Sequence, residues 1–278
     1  MSARRWAALL VALVALVVAA VALADTFTGT KENDEITGTA GDDTITGGSG
    51  DDKIVGQAGN DTLDGSGDSD TIEGGDGDDT IFGANCRRGT LGRICDNSGE
   101  DRLLGGPGND EIRGNQCLLV DCTGDPFIGR DSVLEGGPGN DRLTSADGND
   151  TLDGGDGNDK LRGLLGEDRA TGGAGNDLLR GGEGNDSMSA GDGIDRLWGQ
   201  QGNDVLAGDG GADRVYGGDG NDRLSGGKGN DRLWGQSGKD TIDARGGGFD
   251  RIVCGAGRDT AIVDRSDRVS GCEKVRRK

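Results

Sequence analysis

The chain has 278 residues, 59 of them glycine, and is only 31% hydrophobic and 3% aromatic. That composition cannot fill an ordinary core, since soluble domains run near half apolar, and three prolines without glycine at every third position exclude collagen. Thirty Lys and Arg against 51 Asp and Glu leave a net charge of −21 with no histidine, which excludes a nucleic-acid footprint, Ser-His-Asp hydrolases and His-ligated zinc proteases. So much charge on so little apolar surface predicts disorder unless something external neutralises the carboxylates.

Residues 1–24 read as an export signal. Arg4 and Arg5 precede an apolar run from Trp6 to Leu23, and Ala22-Leu23-Ala24 supplies the small residues of a cleavage site. The expected mature chain starts at Asp25, carries 28 basic against 51 acidic side chains, a net −23, and is extracellular, secreted or cell-surface, with no membrane segment after signal cleavage. An uncleaved anchor is the alternative, because the run nears the length that spans a bilayer.

An internal repeat follows. Gly29 to Phe82 divides into six nine-residue units, Asp96 to Arg113 into two, and Gly136 to Asp243 into twelve, without gaps inside any block. Gly217-Gly218-Asp219-Gly220-Asn221-Asp222-Arg223-Leu224-Ser225 is representative. Position six is Asp and position eight apolar in all twenty units, and position four is glycine in eighteen, Glu32 and Asp68 being the exceptions. The glycine-rich first part of each unit predicts a tight turn. The last three residues predict a strand with position eight inward and positions seven and nine outward. One apolar residue per unit builds no core alone, but stacked units align their eighth residues into a buried file; Ala170 and Met188 are its weakest fillers. Turn carbonyls beside a recurring carboxylate offer hard oxygen ligands only, a set that suits calcium better than magnesium.

These units resemble the RTX or haemolysin-type calcium-binding nonapeptide, G-G-x-G-x-D-x-U-x, as in Gly154 to Arg162, Gly172 to Arg180 and Gly226 to Trp234. The resemblance implies an all-β fold, a parallel β-roll solenoid with two repeats per turn, and multiple calcium ions held between turns by carbonyls and the position-six carboxylates. By that analogy the metal ligands are Asp34, Asp43, Asp52, Asp61, Asp70, Asp79, Asp101 and Asp110 in the earlier blocks. In the long block they are Asp141, Asp150, Asp159, Asp168, Asp177, Asp186, Asp195, Asp204, Asp213, Asp222, Asp231 and Asp240. About ten turns at strand spacing predict a rod on the order of 50 Å long. Many RTX proteins carry a catalytic domain and a C-terminal export signal, whereas here the repeats begin soon after an N-terminal signal.

The remaining segments depart from the repeat. Six cysteines in an exported chain suggest disulfides, and their positions favour Cys86 with Cys95, Cys117 with Cys122, and Cys254 with Cys272, free thiols being the alternative. Insertions around the first two pairs are expected to interrupt the stack. Phe127 to Glu135 is a degenerate unit with Ser132 in the Asp position, and no site is expected there. Ala244 to Val253 has ten residues, which displaces Asp250 by one and predicts the end of the register. The chain thus divides into a signal (1–24), N-terminal repeats with two Cys-bracketed insertions (25–135), an uninterrupted roll (136–253) and a C-terminal cap ending in a basic tail (254–278).

Residues 18 apart lie on one face of such a roll. Trp198, Tyr216 and Trp234 share position nine and Arg196, Arg214 and Arg232 position seven, which predicts an aromatic ladder beside an arginine ladder. Two readings stand: a platform for sugar rings or an acidic polysaccharide, or rings that stabilise an exposed sheet among themselves, the commoner use of same-face neighbours. The expected function is a secreted, non-enzymatic structural or adhesive protein that folds on binding calcium. The alternative is a glycan-binding or glycan-modifying extracellular protein of lyase or epimerase type, although the sole tyrosine, Tyr216, sits in the ladder. Expected partners are calcium ions and an extracellular or cell-surface polysaccharide, with no nucleic acid. Outward threonines such as Thr44 and Thr46 form no regular array in this reading, which disfavours an ice-binding roll.

Overall fold

The computed structural model describes residues 23–83, 101–114 and 131–278, with the backbone of two short strands, Arg87–Gly89 and Gly92–Ile94. The expected export signal up to residue 22, and Cys86, Cys95, Cys117 and Cys122, lie outside the described residues.

The described residues form no helix, and so none long and apolar enough to cross a membrane. Strands alternate between two parallel sheets that face each other, and each strand pairs with the one a full coil later. Thr151–Asp156, for example, pairs with Arg169–Ala174 in register Thr151↔Arg169, and Lys160–Leu165 pairs with Leu178–Glu183 in register Lys160↔Leu178. This is a parallel β-solenoid with two nonapeptides per coil. Each sheet runs through thirteen strands, the first from Thr26–Thr28 to Arg268–Ser270 and the second from Glu35–Thr37 to Lys274–Arg277. Twelve steps at strand spacing make a rod about 60 Å long, slightly more than the sequence suggests.

Position-eight side chains fill the interior. Ile45, Leu63, Ile81, Ile112, Leu143 and Leu161 of the first sheet face Ile54, Ile72, Leu103, Leu134 and Leu152 of the second, all 2% exposed or less. Ala170 and Met188 are buried as well. Phe27 and Ile36 half-cover one end of the file and Val269 the other.

The structure alters four expectations. Strands reach beyond positions seven to nine into positions one to three of the next unit, as in Lys160–Leu165, so the turn proper shrinks to positions four to six. Position one is glycine in all but three of the twenty units, where Asp96, Ser145 and Ala190 stand instead. The insertions do not interrupt the stack: Thr71–Asp76 pairs directly with Arg102–Leu104, and Thr80–Phe82 with Glu111–Arg113. The offset there is 31 residues instead of 18, and beyond the second insertion Arg102–Leu104 pairs with Val133–Pro138 and Glu111–Arg113 with Arg142–Thr144 at the same offset.

The register also survives the ten-residue unit. Arg232–Ser237 pairs with Arg251–Ala256 at an offset of 19, and Thr260–Val263, Arg268–Ser270 and Lys274–Arg277 extend both sheets through the segment expected as a cap. The extra residue is absorbed in the bend around Gly246 to Gly248. The Cys254–Cys272 disulfide, Cα to Cα 5.1 Å, ties the last two coils together. Finally, Thr26, Thr44, Thr62 and Thr80 do stand in register on the outer face of the first sheet, a file that ends at Glu111.

Candidate metal centres

Each coil turns twice, and each turn brings a position-six aspartate to the same place. The local cause is the glycine pattern. Position four takes φ values that only glycine adopts without strain, for example 143° at Gly157 and 139° at Gly220, and this bend swings the following aspartate inward. Asp43, Asp52, Asp61, Asp70, Asp79, Asp101, Asp110 and the twelve from Asp141 to Asp240 are all at most 3% exposed. Asp34 is only half-buried.

Their two oxygens have different surroundings. Oδ1 accepts the backbone N–H of the aspartate one coil earlier: Asp141 N–H to Asp159 Oδ1 at 2.8 Å, Asp159 to Asp177 at 2.8 Å, Asp177 to Asp195 at 2.7 Å. On one edge these bonds run unbroken across the insertions, with Asp79 donating to Asp110 and Asp110 to Asp141; on the other, Asp70 donates to Asp101, and the series resumes at Ser132, which stands in place of an aspartate. Oδ2 has no such partner in Asp52, Asp61, Asp70, Asp79, Asp110, or any aspartate from Asp141 to Asp240 in the series. Where position one is glycine, Oδ2 faces its bare Cα in the same unit and the position-one carbonyl of the next coil; Ser145 and Ala190 take that place beside Asp150 and Asp195, and Ser145 and Ala146 also bond Asp150. A methyl group on Gly208 would stand 2.7 Å from both Asp213 Oδ2 and the Gly226 carbonyl oxygen, and one on Gly154 would stand 2.5 Å from both Asp159 Oδ2 and the Gly172 oxygen. Two acceptors of adjacent coils thus converge on a point from which no donor approaches.

Burial of these carboxylates, reinforced by like-charged neighbours in the same file or at position five beside it, pushes their pKa values up against the opposing effect of the N–H bonds. Asp70 rises to about 8; Asp79, Asp110, Asp159, Asp168, Asp204 and Asp213 to about 7; Asp141, Asp150, Asp186, Asp195 and Asp240 to about 6. A row of buried anions with bare oxygens is unfavourable until a proton or a cation joins it.

The donor set fits calcium. Carboxylate and carbonyl oxygens are hard ligands of the kind this ion takes six to eight at a time, and neither thiolate nor imidazole is at hand. Among the described residues no three Asp, Glu or Cys side chains converge on one point, so backbone carbonyls would have to complete any coordination shell.

The twenty aspartates are not equivalent. In the first coil, threonine replaces glycine at position two and satisfies the carboxylate internally. Thr30 N–H and Oγ1 donate to Asp34 Oδ2 at 2.6 and 2.9 Å, and Thr39 N–H and Oγ1 to Asp43 Oδ2 at 2.5 and 3.0 Å. For Asp43 these bonds, with that from Asp25 N–H, outweigh burial and hold the carboxyl below its usual value. Ser132 occupies the aspartate place of the degenerate unit, its N–H donating to Asp150 Oδ1 at 2.6 Å. Two units later Ser145 fills a position-one cradle, and its hydroxyl donates to the Gly163 carbonyl at 2.6 Å.

Sequence reasoning missed two residues and one ladder. Asp250 and Asp259 sit in the same place, 1% exposed and with bare Oδ2 atoms. The sign of the second is Cys254-x-x-Gly257-x-Asp259-x-Ala261, a nonapeptide with cysteine at position one and alanine at position eight. Position five carries an asparagine ladder outside the carboxylates. Asn158 Nδ2 donates to Asn140 Oδ1 at 2.9 Å, and Asn221 to Asn203 at 2.9 Å. The predicted aromatics stand in register on the first sheet, Trp198↔Tyr216↔Trp234, beside Arg196↔Arg214↔Arg232. Their rings stack on one another with centroids 5.3 and 4.4 Å apart and interplanar angles of 6°, and the Arg180 guanidinium lies 5.4 Å from the Trp198 centroid. Both faces of Trp198 and Tyr216 are therefore taken within the ladder.

A family of RTX calcium-binding nonapeptide repeats matches residues 22–54, 55–85, 96–117, 129–161, 153–188, 162–197, 189–224 and 216–248, well over half of the chain. No curated protein matches it.

Proposed function

Because the chain belongs to the family of RTX calcium-binding nonapeptide repeat proteins, we propose that it is an exported, non-enzymatic structural or adhesive protein whose β-roll forms only when calcium binds. One observation carries this reading: the files of buried aspartates whose Oδ2 atoms meet a carbonyl of the next coil and no donor. Bound calcium would supply positive charge between the oxygens of successive coils, so that binding free energy becomes folding free energy. The chain's part is to present Oδ2 and the position-one carbonyl together, to leave most cradles open with glycine at position one, and to hold each carboxylate in place through Oδ1. Asp52 to Asp110 and Asp141 to Asp240 are the proposed ligands, joined by Asp250 and Asp259. Asp34 and Asp43, satisfied by Thr30 and Thr39, serve the first coil as internal caps.

Extracellular calcium modules bind at roughly 10⁻⁴ to 10⁻³ M, so export from a low-calcium cytoplasm would switch folding on. The test is a calcium titration of the chain without residues 1–24, followed by circular dichroism. A largely disordered spectrum in EGTA and a cooperative gain of β-structure at millimolar calcium are expected. An equally folded protein in excess EGTA would refute the proposal.

A further inference from the structure

The outer face of the first sheet has the wrong charge for this protein. In a chain of net charge −21, position seven of consecutive strands carries Arg142, Lys160, Arg196, Arg214, Arg232 and Arg251, in register one strand apart except where Leu178 interrupts, and the file ends at Arg268. Arg162 and Arg180 flank it at position nine, where a recess of about 500 Å³ opens between Arg142, Lys160, Arg162, Arg180 and the Arg113–Glu111 pair, Glu111 standing next to Arg142 in register. Among the described residues none of the seven position-seven cations is ion-paired with a carboxylate; the salt bridges there lie elsewhere, at Lys53–Glu35, Arg102–Glu135, Arg113–Glu111 and Arg245–Asp243. Like charges on directly adjacent strands destabilise a sheet, and the fold does not require them. The same position in the first four strands of this sheet is threonine, Thr26, Thr44, Thr62 and Thr80.

We propose that this face is a binding strip for a linear anionic polysaccharide. The strip carries seven cations on eight successive strands about 4.8 Å apart, Leu178 being the one gap, and spans seven steps or about 34 Å. It is narrow: positions seven and nine are about 7 Å apart along the strand, and the turns beyond carry exposed Asp156, Glu183, Asp192 and Asp219. A single polymer chain with one carboxylate or sulfate per sugar follows such a line. A nucleic-acid duplex, with a charge every 1.7 Å of axis, overhangs onto the acidic turns. Single-stranded nucleic acid needs open aromatic faces, and those of Trp198 and Tyr216 are covered. The strip rests on the calcium-loaded fold proposed above, so dichroism in calcium is recorded for every protein before any polymer is added. A failure of that proposal then shows as a missing fold, not as missing binding.

The test compares the chain with Arg196→Thr/Arg214→Thr/Arg232→Thr, a second variant at the ends of the file (Arg142→Thr/Arg251→Thr/Arg268→Thr), and a charge-matched control on the opposite sheet (Arg169→Thr/Arg223→Thr/Lys274→Thr). Probes are heparin, polygalacturonate, dextran and duplex DNA at fixed calcium and graded salt. The wild type and the control should retain heparin or polygalacturonate, with heparin alone indicating sulfate and both indicating any anionic sugar. They should ignore dextran, and both strip variants should bind about tenfold more weakly with a shallower salt dependence. Equal binding by the strip variants, equal loss in the control, binding of dextran, binding of no polysaccharide, or stronger retention by DNA would each overturn the assignment.

Discussion

Replacing one mid-stack carboxylate by its amide should have effects that depend on calcium. Asp204 Oδ1 accepts the Asp186 N–H at 2.8 Å, its own N–H donates to Asp222 Oδ1 at 2.9 Å, and Oδ2 has no partner. Burial, with Asp186 and Asp222 adding repulsion, raises its pKa from 3.8 to about 7. At about 1.4 kcal/mol for each pH unit between these values, the ionised carboxylate opposes folding at pH 8 by roughly 4 kcal/mol, and water near the turn cuts this to roughly 2 kcal/mol. Asp204→Asn keeps the Oδ1 acceptor and turns an N–H donor toward the cradle it shares with the Gly217 carbonyl. In EGTA with a stabilising osmolyte, urea denaturation should therefore find the variant more stable by about 2 kcal/mol. In about 10 mM calcium the wild type gains roughly 1.4 to 2.7 kcal/mol per ion at the affinity of extracellular modules, a gain the amide forfeits at this turn, so the advantage should vanish or reverse. A variant that is less stable in EGTA, or equally advantaged in both conditions, would refute the view that this carboxylate is a liability which calcium removes.

Acid should partly replace the ion. The folded-state pKa values are raised, so the stabilisation is complete below about 4 and is lost as pH rises through about 6 to 8, the range spanned by Asp141, Asp204 and Asp70; in EGTA, dichroism should show β-structure gained on going from pH 8 to 4.5, and a flat signal would count against the buried files. Gly154→Ala puts a methyl group 2.5 Å from Asp159 Oδ2 and the Gly172 oxygen, and should raise the calcium midpoint of folding severalfold; an unchanged midpoint would mean the cradle is not part of a site. Cys254→Ser/Cys272→Ser opens an 18-residue link worth about 3 kcal/mol. Hydrogen exchange should then lose protection at Arg268–Ser270 and Lys274–Arg277 while Lys160–Leu165 keeps its own, and uniform protection would show that the bridge clamps nothing.

The coil was legible because its determinants are periodic and local. An aspartate at position six and an aliphatic residue at position eight, repeated every nine residues, leave one arrangement in which Leu161, Leu179 and Leu197 share a file while Asp159, Asp177 and Asp195 share an edge. The interruptions were not legible, for an opposite reason. Whether Arg102 pairs with Thr71 depends on the return of an excursion to the same point in space, and register tolerates any loop length that closes there. Asp259 was hidden because recognition weighed glycine at position one, while the physical demand there is for a buried group with a straight backbone, which Cys254 meets through its bridge to Cys272. The division of the outer face into a threonine file and an arginine file needed the register across the insertions, without which Thr80 and Arg142 belong to separate blocks.

The two ends explain why the stack can stop. An interior coil leaves an oxygen bare on each edge and invites a further coil, so a solenoid built only of such units has no reason to end. At the start, Thr30 and Thr39 fold their amides and hydroxyls back onto Asp34 and Asp43. At the finish, Asp264 N–H donates to Asp267 Oδ2 at 2.6 Å, and Glu273 replaces the aspartate, with its longer side chain reaching back to the Asp259 N–H at 2.7 Å. The Oδ2 atoms of Asp34, Asp43 and Asp267 are thus satisfied by the chain's own donors, as those of the interior aspartates are not. If calcium joins coils as proposed, Asp34, Asp43 and Asp267, whose Oδ2 atoms already have donors of their own, would take least part in that joining.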